Sequence, residues 1–201
     1  MTESTHTSLQ ELLDRFASPA PLPGGGSAAA LTGALGVSLL LMVARMEKTR
    51  SNTSEERADL EAAATRLHPV RDELTALIDD DSRAYLEVIA AYRQPRTTEA
   101  EQMHRRAAIQ TALQAATNAP LRTMRACELA LREAPLVVRV GNPNAATDAA
   151  VGARLLLGAL EGAGLNVDVN LPGITDQDYV QRASEERRTL EARARRLMIA
   201  Q

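Results

Sequence analysis

Pro23 to Arg45 reads PGGGSAAALTGALGVSLLLMVAR: three consecutive glycines run into a serine, and Ser27 to Ala44 then pass without a charge. Glycines this dense mark a sharp bend or a close approach of backbone to something else. Ser27 is a candidate cap for the helix that follows, and open amide N–H groups at such a start suit an anion or a polar ligand. Within the helix, Ala29/Gly33, Ala30/Ala34 and Gly33/Gly36 set small side chains three or four residues apart. That spacing leaves a flat groove in which another helix can approach closely. The stretch therefore predicts a buried central helix whose N-terminus looks into a ligand site. Two plainer alternatives stand beside it. Eighteen uncharged residues reach the lower length of a membrane span, but the run is rich in Ala and Gly and lacks flanking aromatic anchors. The glycines also fit a simple loop ahead of a core helix.

Working outward, 201 residues fit one domain, 1–201, with enough chain to bury a core. Aromatic residues are 2% with no Trp, and Ala, Leu and Arg dominate, which is helix-forming composition. The expected fold is all-α, an antiparallel helical bundle around the central Ala/Gly-rich helix. A net charge of −3 and few stacking rings argue against a nucleic-acid surface. Cys127 is the only cysteine, so no internal disulfide and no thiolate metal cluster can form. With a polar, mildly acidic N-terminus in place of a secretory signal, a reducing cytoplasm is the expected location.

Ser8 to Ala17 reads as an opening helix with Ser8 as cap and Leu9, Leu12, Leu13 and Phe16 on one face. After the central helix, Ser54 is the expected cap of a long helix to about Tyr92, kinked or split at Pro69. Thr97 or Thr98 with Glu101 restarts a helix to about Asn118, Pro120 opens another through Arg132, and Leu136 to Val140 is too short to classify. Asn144 is a candidate cap for a helix from Ala149 to Gly164, and Leu165 to Asn170 reads as extended. Thr175 and Asp178 suggest a capping box for a last, charged helix ending near Ile199. His6 lies in the terminal stretch, His68 precedes Pro69 and His104 sits among arginines, so no histidine pair supports a metal site.

The most informative pattern lies in the long helix. Its apolar stripe runs Leu67, Val70, Leu74, Leu77, Ile78, position 81, Tyr85, Val88 and Tyr92, and position 81 is an aspartate. Of the run Asp79-Asp80-Asp81, only Asp81 points with the core. A buried carboxyl without a cation has its pKa raised, which is how general acids are made. The alternatives are that Asp81 is neutralised by a buried arginine or caps a neighbouring helix. A second carboxylate, Asp148, follows the polar knot Gly141-Asn-Pro-Asn144 and shares the stripe of Val151, Leu155 and Ala159.

PLPGGGSAAALTGALG (21–36), LTALIDDDSRAY (74–85), GNPNAATDAAV (141–151) and NVDVN (166–170) occur in this order and spacing, with Ala119-Pro120-Leu121 between. Together they resemble the cyclodeaminase/cyclohydrolase family, over nearly the whole chain from Leu9 to the last helix. The resemblance implies an all-helical homodimer with its site near the subunit interface. It implies a tetrahydrofolate derivative as substrate and no cofactor or metal. It places the essential aspartate at Asp81, and substrate contacts at Gly24, Gly25, Gly26, Ser27, Arg50, Asn142, Asn144, Asp148, Asn166 and Asn170. Glu47 to Thr53 departs from the family's Thr-x-Gly and basic residues, with Arg50 keeping the basic character there. The expected activity is cyclodeaminase or cyclohydrolase chemistry at the one-carbon unit, with general acid/base catalysis by Asp81. The alternative that the departure raises is a catalytically inactive binding or scaffold dimer of the same fold.

Overall fold

The computed structural model describes residues 7–199 and is helical throughout, with no strand among the described residues. Six α-helices follow in order: α1 Leu9–Ala17, α2 Gly25–Ala44, α3 Ser54–Tyr92, α4 Glu99–Val140, α5 Ala146–Asn170 and α6 Gln177–Ile199. Short 3₁₀ turns, Pro143–Ala145 and Leu171–Gly173, bracket α5.

The centre is α2, packed against α3, α4 and α5. Its small residues place those neighbours. Gly33 lies against Leu74 of α3 and Cys127 of α4, and Gly36 faces Gly152 of α5. A Cβ on either Gly36 or Gly152 would come within 2.8 Å of the other's carbonyl oxygen, so the two backbones touch where neither residue carries a side chain. Pairs of contacts fix the directions. Gly36 meets Gly152 and Ala29 meets Gly162, so α2 and α5 run antiparallel. Arg66 pairs with Glu133 and Arg122 with Asp80, which sets α4 antiparallel to α3. The core follows α2 outward through Val37, Leu40, Leu74, Met124, Leu131, Leu156 and Leu160, all fully buried. α2 is long and apolar enough to cross a membrane by composition; here its Ala30, Val37, Leu40 and Val43 are buried in the core.

Several helix boundaries differ from the sequence expectation. Gly24, not Ser27, is the N-cap of α2, so Ser27 falls in the first turn. Thr53 rather than Ser54 caps α3, its hydroxyl accepting from the Glu56 N–H. Pro69 does not split α3. Residues 99–140 form one helix through Pro120 and Pro135 where two helices and an unclassified segment were expected. An interior proline costs a free helix roughly 3 kcal/mol, and burial of Leu113, Leu121, Met124, Leu131 and Val137 among α2, α3, α5 and α6 outweighs it. Leu165 to Asn170 is not extended but continues α5. The alternation there is helical: Val167 is buried while Leu165 and Val169 are exposed. Asn144 caps nothing; Asn142 accepts from the Asn144 N–H to start the 3₁₀ turn. Asp176 replaces the expected Thr175/Asp178 box, accepting from the Tyr179 N–H. α1 keeps its capping box between Ser8 and Glu11. Of its apolar face only Leu12 is buried, while Leu9 and Leu13 stand in solvent. His6 lies outside the described residues.

Candidate active site

The N-terminal turn of α2 and the middle of α3 meet at Asp81. Ser27 donates its backbone N–H to Asp81 Oδ2 at 3.0 Å. Asp81 therefore supplies, from another helix, the cap that α2 lacks from its own Gly24. The alternative that this aspartate caps a neighbouring helix is what the fold uses, and the residue still points with the core. Gly26 makes the arrangement possible. A Cβ there would overlap the Asp81 carboxyl, 2.5 Å from Cγ and 2.7 Å from Oδ2, so the carboxyl lies against bare backbone. Among the described residues nothing accepts a hydrogen bond from the Gly25 and Gly26 amides.

The Ser27 hydroxyl is fully buried and sits among three oxygens: Ile78 O at 2.7 Å, Ser82 Oγ at 3.2 Å and Asp81 Oδ2 at 3.3 Å. The hydroxyl donates most closely to Ile78 O, and its bond to Asp81 Oδ2, to which it also donates, is the longest of the three. Burial raises the Asp81 pKa from the ordinary carboxyl range, while the Ser27 hydroxyl and amide pull it down; burial is the larger effect. None of the arginines reaches it.

Asp81 opens onto a cleft of about 350 Å³ lined by Pro21, Leu22, Gly24, Gly25, Tyr85, Val88, Ala116, Asn166, Val169 and Asn170. It is not the largest hollow. A groove of about 810 Å³ runs between α3 and α4, but its arginines 66, 122, 125 and 132 are each tied to a carboxylate. The smaller cleft is where a carboxyl with a raised pKa, unbonded amides and carboxamides come together.

The carboxamides are held by a device that sequence reading missed. Asn166 and Asn170 are one turn apart on α5, and Asn166 Nδ2 donates to Gly162 O. Asn170 Nδ2 donates to Asn166 O and, across helices, to Ala116 O, both at 3.0 Å. Residue 120 is a proline with no N–H to return to Ala116, four residues earlier. Pro120 thus frees the carbonyl that anchors Asn170 at the cleft. The signal was in the sequence, a proline on a helix period, but it read as a break. Ser82 and Tyr85 also went unassigned, although Tyr85 follows Asp81 at helical spacing.

The other residues expected at the site lie elsewhere. Arg50, Asn142, Asn144 and Asp148 sit near the C-terminal end of α2, where Gly141 packs on Val43. Arg50 donates its N–H to Val140 O and its Nε to Arg139 O. From Ser27 to Val43 a helix rises about 24 Å, so within one chain this group cannot touch what Asp81 touches. The 47–53 stretch is there too, an ordered turn in which Glu56 accepts from the Thr49 hydroxyl and the Ser51 N–H. Among the described residues no cluster of three His, Cys, Asp or Glu is placed to hold a metal.

The family model for formiminotransferase-cyclodeaminase matches residues 8–189. A methenyltetrahydrofolate cyclohydrolase of Methylorubrum extorquens is 37% identical over 186 residues, covering 92% of this chain and 89% of its own. The formimidoyltransferase-cyclodeaminase of Gallus gallus is 32% identical over 81% of this chain, which spans only 30% of that longer protein. The solved structure of formiminotetrahydrofolate cyclodeaminase from Thermotoga maritima superposes with a TM-score of 0.86 at 26% identity, covering 97% of this chain and 93% of that one. A family match over nearly the full chain, a relative of similar length and a shared helical fold agree, and the chain belongs to the formiminotransferase-cyclodeaminase family.

Proposed function

We propose that this protein acts on the one-carbon unit bridging N5 and N10 of tetrahydrofolate, as a methenyltetrahydrofolate cyclohydrolase or a formiminotetrahydrofolate cyclodeaminase. The observation that carries this is the Asp81 carboxyl, half-buried and raised in pKa, held by the first turn of α2 at the wall of a cleft. In hydrolysis, water adds to the methenyl carbon and gives up a proton. N5 then leaves the tetrahedral adduct after taking one, the adduct's hydroxyl proton passes to solvent, and the product is the 10-formyl form. In cyclodeamination, N10 adds to the formimino carbon and ammonia leaves as the protonated nitrogen. Each route needs a group that accepts a proton on attack and returns one to the departing nitrogen. Asp81 is suited to both halves, and positioned acid–base catalysis is worth roughly 10²–10⁴-fold. The amides of Gly25 and Gly26 and the carboxamides of Asn166 and Asn170 would orient the adduct. The protein would work without a cofactor, in the cytoplasm.

Homodimerisation is part of the same proposal. α2 is apolar all round, yet Leu35 and Met42 are exposed on it, with Val151 exposed on the adjoining α5. A second copy lying antiparallel on that face would bring its Asn142, Asn144 and Asp148 end toward the Asp81 cleft. This is the route by which both groups could meet one substrate. The departure at 47–53, which raised the inactive scaffold alternative, lies outside the Asp81 cleft within the chain and leaves it intact.

The test is decay of 5,10-methenyltetrahydrofolate absorbance, and ammonia release from the formimino substrate, with wild type and Asp81→Asn. Turnover by wild type that falls at least 100-fold in the variant supports the reading. No turnover of either substrate overturns it in favour of a binding module.

A further inference from the structure

We propose that Tyr85 is the specificity-determining residue of the Asp81 cleft, presenting an aromatic ring to a planar cation. The proposal rests on the folate reading above and adds a determinant of which form of the one-carbon unit is held.

The cleft's composition is the starting point. Its lining contains one carboxyl, Asp81, and no lysine, arginine or histidine. Such a site favours a positively charged ligand over an anionic one. Apart from Asp81, the only ionisable side chain in the lining is Tyr85, one helical turn further along α3 and on the same face.

Aromatic residues are scarce enough for each to be accounted for. The chain has three tyrosines, one phenylalanine and no tryptophan. Tyr179 is engaged, its hydroxyl 3.1 Å from Gln114 O and 2.9 Å from Asn118 Oδ1. Tyr92 lies beneath the Arg105 guanidinium at 5.6 Å. Phe16 is on α1. Tyr85 alone lines the cleft and is 39% exposed. Among the described residues no hydrogen bond holds its hydroxyl and no cation covers its ring. A large side chain left open on an otherwise apolar stripe is unused by the fold.

Chemistry supplies the match. The carbon under attack lies between two nitrogens in an amidinium, flat and positively charged by delocalisation. An aromatic face attracts such a group, and the attraction grows as the site excludes water. The neutral 5-formyl analogue carries the same pterin and tail, with an uncharged formyl group on N5 in place of the cationic bridge. A ring beside Asp81 would therefore hold the cationic forms and release the neutral one, with Asp81 close enough to act on the carbon.

The experiment compares wild type, Tyr85→Leu and Tyr85→Phe, each checked for native helicity and melting temperature. The readouts are KM and kcat for 5,10-methenyltetrahydrofolate and the inhibition constant of 5-formyltetrahydrofolate. Tyr85→Leu should raise KM about tenfold, change kcat less than about threefold, and leave inhibition by the neutral analogue within about twofold. Tyr85→Phe, which keeps the ring, should restore the wild-type KM. An unchanged KM in Tyr85→Leu overturns the proposal. So does an equal weakening of substrate and neutral analogue, which marks a packing role. Damage in Tyr85→Phe equal to that in Tyr85→Leu also overturns it, because the hydroxyl and not the ring would then matter. Wild type inert toward the methenyl and formimino substrates would instead overturn the folate reading itself, and this proposal with it.

Discussion

Replacing Gly26 by alanine separates the two duties of the Asp81 carboxyl. An alanine Cβ would stand 2.7 Å from Asp81 Oδ2 and 2.5 Å from Cγ, so the carboxyl must move by roughly 1 Å to restore van der Waals distance. The move weakens the 3.0 Å bond from the Ser27 N–H. Loss of a side-chain cap costs about 1 kcal/mol. Alanine within a helix returns about 0.5–1 kcal/mol over glycine. The two nearly cancel, so stability in urea should change by less than about 1 kcal/mol. Catalysis has no such compensation, since a misplacement of this size lowers rates by about 100-fold. The assay pairs urea unfolding with decay of methenyltetrahydrofolate absorbance on the same preparations. Activity within about threefold of wild type would refute the reasoning, because the carboxyl would then not need its place against bare backbone. A stability loss above about 3 kcal/mol would refute it differently, showing that Gly26 serves packing rather than Asp81.

Burial keeps the folded Asp81 protonated where the unfolded chain has already ionised above its ordinary value of 3.8. The unfolded state then binds fewer protons, so the contribution of Asp81 to stability is present below that value and is lost as pH rises through the raised folded pKa. The stability of wild type minus that of Asp81→Asn should fall with rising pH in that window; a flat or rising difference refutes it. Gly36→Ala and Gly152→Ala each push α2 from α5 at one shared contact and should cost about 1–3 kcal/mol. The double variant should cost clearly less than the sum, and additivity in urea unfolding would show that the two glycines do not share a contact. Pro120→Ala gives Ala116 O an intrahelical partner and takes it from Asn170. Its melting temperature should hold or rise while KM rises, and an unchanged KM would mean that Asn170 needs no such anchor.

The helical content and α2 were legible because composition and periodicity act locally: an eighteen-residue uncharged run admits few other structures. Asp81 was legible for the same reason, as one polar residue interrupting a stripe at helical spacing. The capping details were not. Ser27 is a good N-cap by type, but Gly24 precedes it and Asp81 reaches across from α3, an interaction fifty-four residues away in sequence. The prolines misled for a related reason. Pro120 terminates a helix in isolation, and only the burial of α4 among its neighbours carries the chain through.

By itself the sequence determined an all-helical chain, a central helix with small-residue faces and the aspartate set among apolar neighbours. Tertiary structure decided which of the candidate residues share a cleft within one chain. It gathered Asp81, the α2 amides, Asn166, Asn170 and Tyr85 at one end of α2 and left Arg50, Asn142, Asn144 and Asp148 at the other. The physical reason is that an antiparallel pair such as α2 and α5 brings the start of one helix to the end of the other. Residues far apart in sequence then meet, while residues that flank one helix stay separated by its length.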